Sequence, residues 1–317
     1  MLIFQAYPGF DYIEKFANKF PNEKLNIMIS YAYIVNQMGH IERLRNAGKI
    51  SLLALDSGTF TIKDINNKDE KKMKTYRHVT PESYLSWTSE FGHKFDLVFN
   101  FDDDHTGKDY KDNYYRLVDL KEAGVDAIPV IHNIESEELS FYLDKGYKML
   151  SLGSAQIRKP EDLDVVFDKI SKYSGIKIHL LGCTKFKFLT RRPLYSADSS
   201  SASQMGKKYG AVLWWNEERD PDEFGDKTDI VNFLRPEIIN QRKRIDGIIL
   251  DSYKYRRAFR DYLENLGINP DDLSCLDLVY SLQRIINLYY FKKLEDKVDQ
   301  IYKKNGWIIS RKLSVVK

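Results

Sequence analysis

Two carboxylates stand among small hydroxyl residues. Asp198 lies in Tyr195-Ser196-Ala197-Asp198-Ser199-Ser200-Ser201, and Asp56 lies in Asp56-Ser57-Gly58-Thr59-Phe60. Small neighbours leave room for a ligand beside a carboxylate, and their hydroxyls can hold it in place. Asp198 and Asp56 are therefore candidates for groups that face a bound ligand. Plainer readings exist. Asp198 or a neighbouring serine suits the N-cap of a helix over 202–210, and Asp-Ser-Gly is a common turn. A third acidic run, Asp102-Asp103-Asp104-His105, reads as a solvated stretch or as oxygen ligands for a hard cation. His132-Asn133, Gly153-Ser154-Ala155-Gln156 and Gly182-Cys183-Thr184 complete the set. His132 reads equally as a satisfied core histidine. The glycines serve either turns or close backbone approach to a ligand.

What unites these residues is the element that precedes each of them. Short apolar runs recur at 2–6, 26–30, 52–55, 97–101, 127–131, 149–152, 178–181 and 194–197. Helical patterns fall between most of them, at 11–20, 35–47, 81–91, 110–123, 135–145 and 160–173. Alternating strand and helix predicts an α/β fold with parallel pairing. Eight such units predict a (β/α)8, TIM-like barrel, whose functional groups gather at the carboxyl ends of the strands. The links between strands 1 and 2 and between strands 7 and 8 are short, which predicts irregular helices there. The barrel is expected over 1–216 and a mainly helical region over 217–317. A ninth strand-like run at 211–216 reads as part of a hairpin and 217–229 as a loop. Helices are expected at 235–250, 252–266 and 273–304, with Asn269-Pro270-Asp271-Asp272 as a start signal.

Composition narrows the class. Hydrophobic residues make up 43% of the 317 residues, enough for a core, and the net charge is only +3. A bulk electrostatic pull on nucleic acid is therefore excluded, and any basic surface must be local. Lys185, Lys187, Arg191 and Arg192 form one such group after the seventh strand. Arg242-Lys243-Arg244 and Lys254-Tyr255-Arg256-Arg257 form a second in the tail. Cys183 and Cys275 are far apart and no metal-binding spacing accompanies them, so no metal is expected and both should remain thiols. The sequence has no signal-peptide core and no apolar run of about 18 residues, so we expect a cytoplasmic protein without a membrane span.

Taken in order, Asp56-Ser57-Gly58-Thr59-Phe60, Phe99-Asn100-Phe101-Asp102, Pro129-Val130-Ile131-His132, His179-Leu180-Leu181-Gly182 and Tyr195-Ser196-Ala197-Asp198-Ser199 resemble the tRNA-guanine transglycosylase superfamily. The branch they resemble most is the 7-deazaguanine DNA transglycosylases of bacteriophages and bacterial DNA-modification clusters. For a phage-encoded chain the compartment would be the host cytoplasm. The resemblance covers roughly residues 1–216 and implies a (β/α)8 barrel that exchanges guanine in a nucleic acid for a 7-deazaguanine base such as preQ0, with no cofactor. It implies Asp198 as nucleophile, Asp56 as general acid/base, and Asp102 as reader of the base edge. His132, Ser57, Gly58 and the backbone of Gly153 and Ser154 would contact the base. Lys185, Lys187, Arg191 and Arg192 would hold DNA phosphates. The tRNA enzymes carry a zinc site of three cysteines and a histidine near the end of the chain. That site is missing here, which favours DNA over tRNA as substrate. Rival readings are a tRNA enzyme, a non-catalytic nucleic-acid-binding partner subunit, and a retaining glycoside hydrolase, although no glutamate stands clearly at a strand end.

The cysteine spacing makes one direct prediction. Metal analysis of the purified protein should find zinc far below one equivalent per chain, and tightly held stoichiometric zinc would overturn it.

Overall fold

The computed structural model describes residues 1–66, 76–153, 156–206, 210–233, 253–274 and 276–308. Among these, nine strands form one parallel sheet: β1 (Leu2–Ala6), β2 (Leu25–Ser30), β3 (Ile50–Asp56), β4 (Leu97–Phe99), β5 (Ala127–Ile128), β6 (Val130–Ile131), β7 (Met149–Gly153), β8 (Lys177–Leu181) and β9 (Ser196–Ser199). Their spatial order is β5-β4-β3-β2-β1-β9-β8-β7-β6. The two end strands are consecutive in the chain, so the sheet is a nearly closed, barrel-like wall. The run expected as one strand over 127–131 is split at Pro129. Proline has no N–H to donate to a ladder, and each half pairs with a different neighbour, β5 with β4 and β6 with β7. The Pro129 carbonyl still accepts Ser151 N–H at 2.9 Å.

Strand and helix do not alternate strictly. The helices among these strands are α1 (Phe10–Lys19), α2 (Tyr31–Ile34), α3 (Met38–Asn46), α4 (Thr59–Asn66), α5 (Pro81–Phe91), α6 (Tyr110–Glu122), α7 (Glu138–Asp144), α8 (Asp162–Ile170) and α9 (Phe186–Leu189). No helix separates β5 from β6, and α9 is a single turn. The irregular link expected between the last two strands is thus present. The first link differs from expectation, since α1 is a regular ten-residue helix. Local signals set the boundaries. Helix α5 starts at a capping box between Thr80 and Ser83 with Pro81 in its first turn. Helix α8 buries Leu163, Val166 and Ile170, the three-and-four spacing of one face.

Parallel register makes paired residues share a face. Phe4 pairs with Asn26 and Asp198, Met28 with Ala54, Ala54 with Leu97, Val130 with Ser151, Ser151 with His179, and His179 with Ser196. One face of this set is an apolar cluster containing Leu2, Phe4, Met28, Ala54, Leu97, Phe99, Ile128 and Val130. Period-two alternation carries the same face on to Asp56, His132, Gly153 and Asp198. The face therefore combines this apolar cluster with the buried polar groups of Asn26, Ser151, His179 and Ser196, and it is polar at the carboxyl ends of the strands.

The chain divides into two compact units, residues 1–7, 24–199 and 298–317, and residues 8–23 and 200–297. The first contains the sheet. The second contains α1, α10 (Ser201–Gln204), the antiparallel pair β10 (Ala211–Trp215) and β11 (Thr228–Asn232), α11 (Arg256–Asn265) and most of α12 (Leu276–Lys304). The expected hairpin is thus present, although its second strand begins inside the stretch expected as loop. Its core joins Val212, Trp214, Val231 and Phe233 to Phe259, Leu263, Ile268 and Ile286. Within the same unit Phe20 packs on Tyr289 with ring centroids 4.5 Å apart, and Lys15 Nζ donates to Ser281 Oγ at 2.9 Å. The helix expected over 235–250, the Arg242-Lys243-Arg244 group and Cys275 lie outside the described residues.

Within the first unit the last turns of α12 tie down the entry to β9. The buried Tyr302 hydroxyl donates to the Leu189 carbonyl at 2.6 Å and accepts Leu194 N–H at 3.0 Å. Tyr302→Phe removes both bonds and takes this donor from the buried Leu189 carbonyl, while Leu194 N–H keeps the Arg192 carbonyl at 2.8 Å. It should destabilise the protein by about 1–3 kcal/mol in urea unfolding; an unchanged midpoint would show that the bonds contribute nothing net.

Candidate functional site

Three aspartates converge at the carboxyl end of the sheet, and each is held differently. Asp56 ends β3, opposite Ser30 of β2. Its Oδ2 accepts Gly58 N–H at 3.1 Å, so the Asp-Ser-Gly turn read from the sequence does form. Gly58 must be glycine. Its φ is +84°, and a Cβ there would lie 2.7 Å from Ser30 Oγ. Burial pushes the Asp56 carboxyl up to about 7, helped by the charges of Asp102 and Asp198 and opposed by Gly58 N–H and the Ser30 hydroxyl. Asp56 is nevertheless partly accessible, so a proton can reach it.

Asp102 lies three residues beyond β4 and is 5% exposed. Its Oδ1 accepts the Ser57 hydroxyl at 3.0 Å and the Thr59 hydroxyl at 3.1 Å, and its Oδ2 lies 2.8 Å from His132 Nε2. Burial alone would lower the His132 imidazolium, but the hydrogen bond and charge of Asp102 outweigh it and the net shift is upward. The other two carboxylates of the acidic run point elsewhere. Asp103 pairs with Arg116, and Asp104 closes its own loop by accepting from Thr106 and Asp109 backbone N–H groups.

Asp198 lies inside β9, which runs over Ser196–Ser199 and not over the expected 194–197. The helix-cap reading does not hold for it, because Ser200 is the residue that precedes α10. Asp198 Oδ1 accepts Gly182 N–H at 2.7 Å and lies 3.2 Å from His179 Nε2. Gly182, at φ +72°, turns its amide inward just after β8.

The remaining expected residues divide. Gly153 ends β7 beside the His132 ring, and its carbonyl accepts Gln156 N–H at 3.0 Å. Ser154 lies outside the described residues. Lys185 and Lys187 are exposed and follow the carboxyl end of β8. Arg191 and Arg192 lie instead on the approach to the amino end of β9, and both pair with Asp164. Cys183 is a free thiol.

Sequence reasoning missed four contributors. His179 and Ser196 are wholly buried partners beneath Asp198. Their signal was available, since a histidine in the middle of an apolar strand needs a polar neighbour. Thr59 joins Ser57 on Asp102, and its place in the Asp-Ser-Gly-Thr run was visible without its partner. Glu138 gave no signal. It is fully buried, and its Oε2 accepts His132 N–H at 2.9 Å and Asn133 N–H at 2.7 Å while Oε1 has no partner. It thereby fixes the loop that carries His132.

A cleft of about 510 Å³ opens beside Thr59 and His105, within the usual size range of small-molecule sites. Phe60, 65% exposed, lies edge-on to His105, whose ring is 5.4 Å from that of His132. Asp102, His105 and His132 also place one ligand atom each within 4.8 Å of the others, so they could hold a divalent ion if the His132–Asp102 hydrogen bond opened. No helix among the described residues is long and apolar enough to cross a membrane. No protein-family model, curated protein or solved structure matches the chain.

Glu138 makes the site sensitive to pH. Burial raises its carboxyl from 4.5 to about 7, against the two backbone N–H bonds. The folded state therefore holds the proton more tightly than the unfolded chain does. The resulting stability is fully present below pH 4.5 and is lost as pH rises through about 7. Glu138→Gln, which cannot ionise, should flatten the wild-type decline between pH 5 and pH 8 by up to about 3 kcal/mol. Parallel wild-type and variant stabilities across that window, measured by urea unfolding, would refute it.

Proposed function

We propose that the chain is a base-exchange glycosyltransferase of the guanine transglycosylase type, built on a (β/α)8-like barrel and replacing guanine in DNA with a 7-deazaguanine base. The observation that carries the reading is the pairing of Asp198 with Asp56. Both lie on one face at the carboxyl ends of their strands, and Asp56 is held near 7 partly by the charge of Asp198. Two carboxyls in unlike environments suit a division between nucleophile and proton carrier.

The chemistry balances with these two groups. As the bond between deoxyribose C1′ and guanine N9 breaks, C1′ becomes cation-like and Asp198 bonds to it from the opposite face. Asp56 gives its proton to the departing guanine. The incoming base then loses its N9 proton to Asp56, its N9 attacks C1′, and Asp198 leaves. Two displacements at one carbon keep the configuration of the sugar. Asp102 and His132 offer an acceptor and a ring nitrogen to the edge of a planar base, and the exposed Phe60 offers a face to stack on. The target nucleotide must be flipped out or single-stranded, because a duplex hides both C1′ and the base edge. The exposed Lys185 and Lys187 would meet its phosphates, whereas Arg191 and Arg192 share their charge with Asp164.

Denaturing electrophoresis with labelled guanine-containing DNA tests the reading, with labelled tRNA run in parallel. Wild type should give a slow protein–DNA band that added 7-deazaguanine base removes. Asp198→Ala should give neither band nor exchange while still binding DNA. Exchange by Asp198→Ala, or a sugar adduct mapped by peptide mass spectrometry to another residue, would sink the proposal; an adduct with tRNA alone would move the substrate to RNA.

A further inference from the structure

Beneath Asp198 lies a buried chain of polar groups that the exchange chemistry does not require. His179 is fully buried in mid-β8, on the same face as its register partner Ser196. Its Nδ1 lies 2.8 Å from Ser196 Oγ and its Nε2 lies 3.2 Å from Asp198 Oδ1. Phe99 and Phe4 wall the ring, at centroid distances of 4.8 Å and 6.2 Å. A histidine so enclosed has no water to trade hydrogen bonds with, so its two nitrogens must be satisfied by these two partners.

The proton on the ring follows from the carboxylate. A lone pair on Nε2 facing Asp198 Oδ1 would be repulsive. The ring proton therefore sits on Nε2 and donates to Asp198, while Nδ1 accepts the Ser196 hydroxyl. Gly182 N–H is the second donor, at 2.7 Å, to the same oxygen. Both hydrogen bonds that the Asp198 carboxylate makes among the described residues fall on Oδ1. One oxygen is thus pinned from below and behind, and the other is left for a ligand.

We propose that His179, with its tautomer fixed by Ser196, is a positioning residue that clamps Asp198 Oδ1 and leaves Oδ2 as the oxygen that bonds to C1′. The assignment rests on the reading of Asp198 as nucleophile. When Oδ2 bonds to C1′, Oδ1 becomes the carbonyl oxygen of an ester. When the new base displaces the ester, charge returns to the carboxylate. The two N–H groups on Oδ1 are already in place to receive that charge, so they favour departure of Asp198 in the second displacement.

Asparagine and glutamine separate this role from mere packing. The amide nitrogen of glutamine reaches the place of the imidazole Nε2, whereas that of asparagine reaches only the place of Nδ1. His179→Gln should keep a donor on Asp198 and retain kcat within about 10-fold of wild type. His179→Asn should lose that donor and lower kcat roughly 100-fold, with the KM for DNA unchanged. Removal of the trapped protein–DNA band by added base should slow in step with kcat. Thermal unfolding of both variants verifies that they fold, and kinetics are compared at a temperature where both are native. Equal kcat for His179→Asn and wild type, or equal losses for the two variants, would overturn the clamp. If wild type forms its adduct through Asp198 in that experiment, only the clamp falls. If wild type forms no adduct at Asp198, the transglycosylase reading fails first and the clamp fails with it.

Discussion

Three carboxyl groups at one end of one sheet cannot all carry a full charge at close range without compensation. The structure answers this constraint differently for each. Asp102 is satisfied on both oxygens, by two hydroxyls and an imidazole. Asp198 is satisfied on one oxygen, by a backbone amide and a second imidazole. Asp56 has the weaker support of its own turn and takes the proton, with its carboxyl raised to about 7. Burial first, and the neighbouring charges second, set Asp56 apart, while the partners that hold Asp102 and Asp198 differ in number and kind.

The supporting groups come from beneath and behind the site. His179 and Ser196 lie one layer deeper than Asp198, and Glu138 lies behind the loop that carries His132. Polar groups at such depth are costly unless bonded, and most of those beneath the carboxylates are. Among the exceptions are Ser30 Oγ, Ser151 Oγ and Glu138 Oε1, which are buried without a hydrogen-bond partner. Burial disfavours the charge on Glu138 and raises its carboxyl to about 7, against the two backbone amides that it holds.

Closure of the sheet depends on a break in one strand. At Pro129 the missing amide ends one pairing and lets the following two residues pair with β7, so a single run serves two neighbours. His132 follows directly from that second half. The position of His132 thus depends on a proline three residues before it.

The sequence by itself determined the α/β class, the parallel pairing and the end of the sheet at which Asp56, Asp102 and Asp198 gather. Period-two alternation is local, so a strand that buries Ala54 must also turn Asp56 to the same face, and one that buries Val130 must turn His132 there. Spacing alone likewise placed the start of α5 and the hairpin that begins at Ala211. Only the tertiary structure decided which carboxyl holds a proton, which oxygen of Asp198 stays open, and which basic residues are already paired. Those properties depend on groups distant in the chain: Gly182 and His179 on Asp198, Ser57 on Asp102, Asp164 on Arg191 and Arg192. Desolvation and Coulomb interactions act through space, and no pattern within a ten-residue window encodes them. The split at Pro129 belongs to both: the proline was visible in the sequence, but its effect required the neighbouring strands whose amides it could not answer.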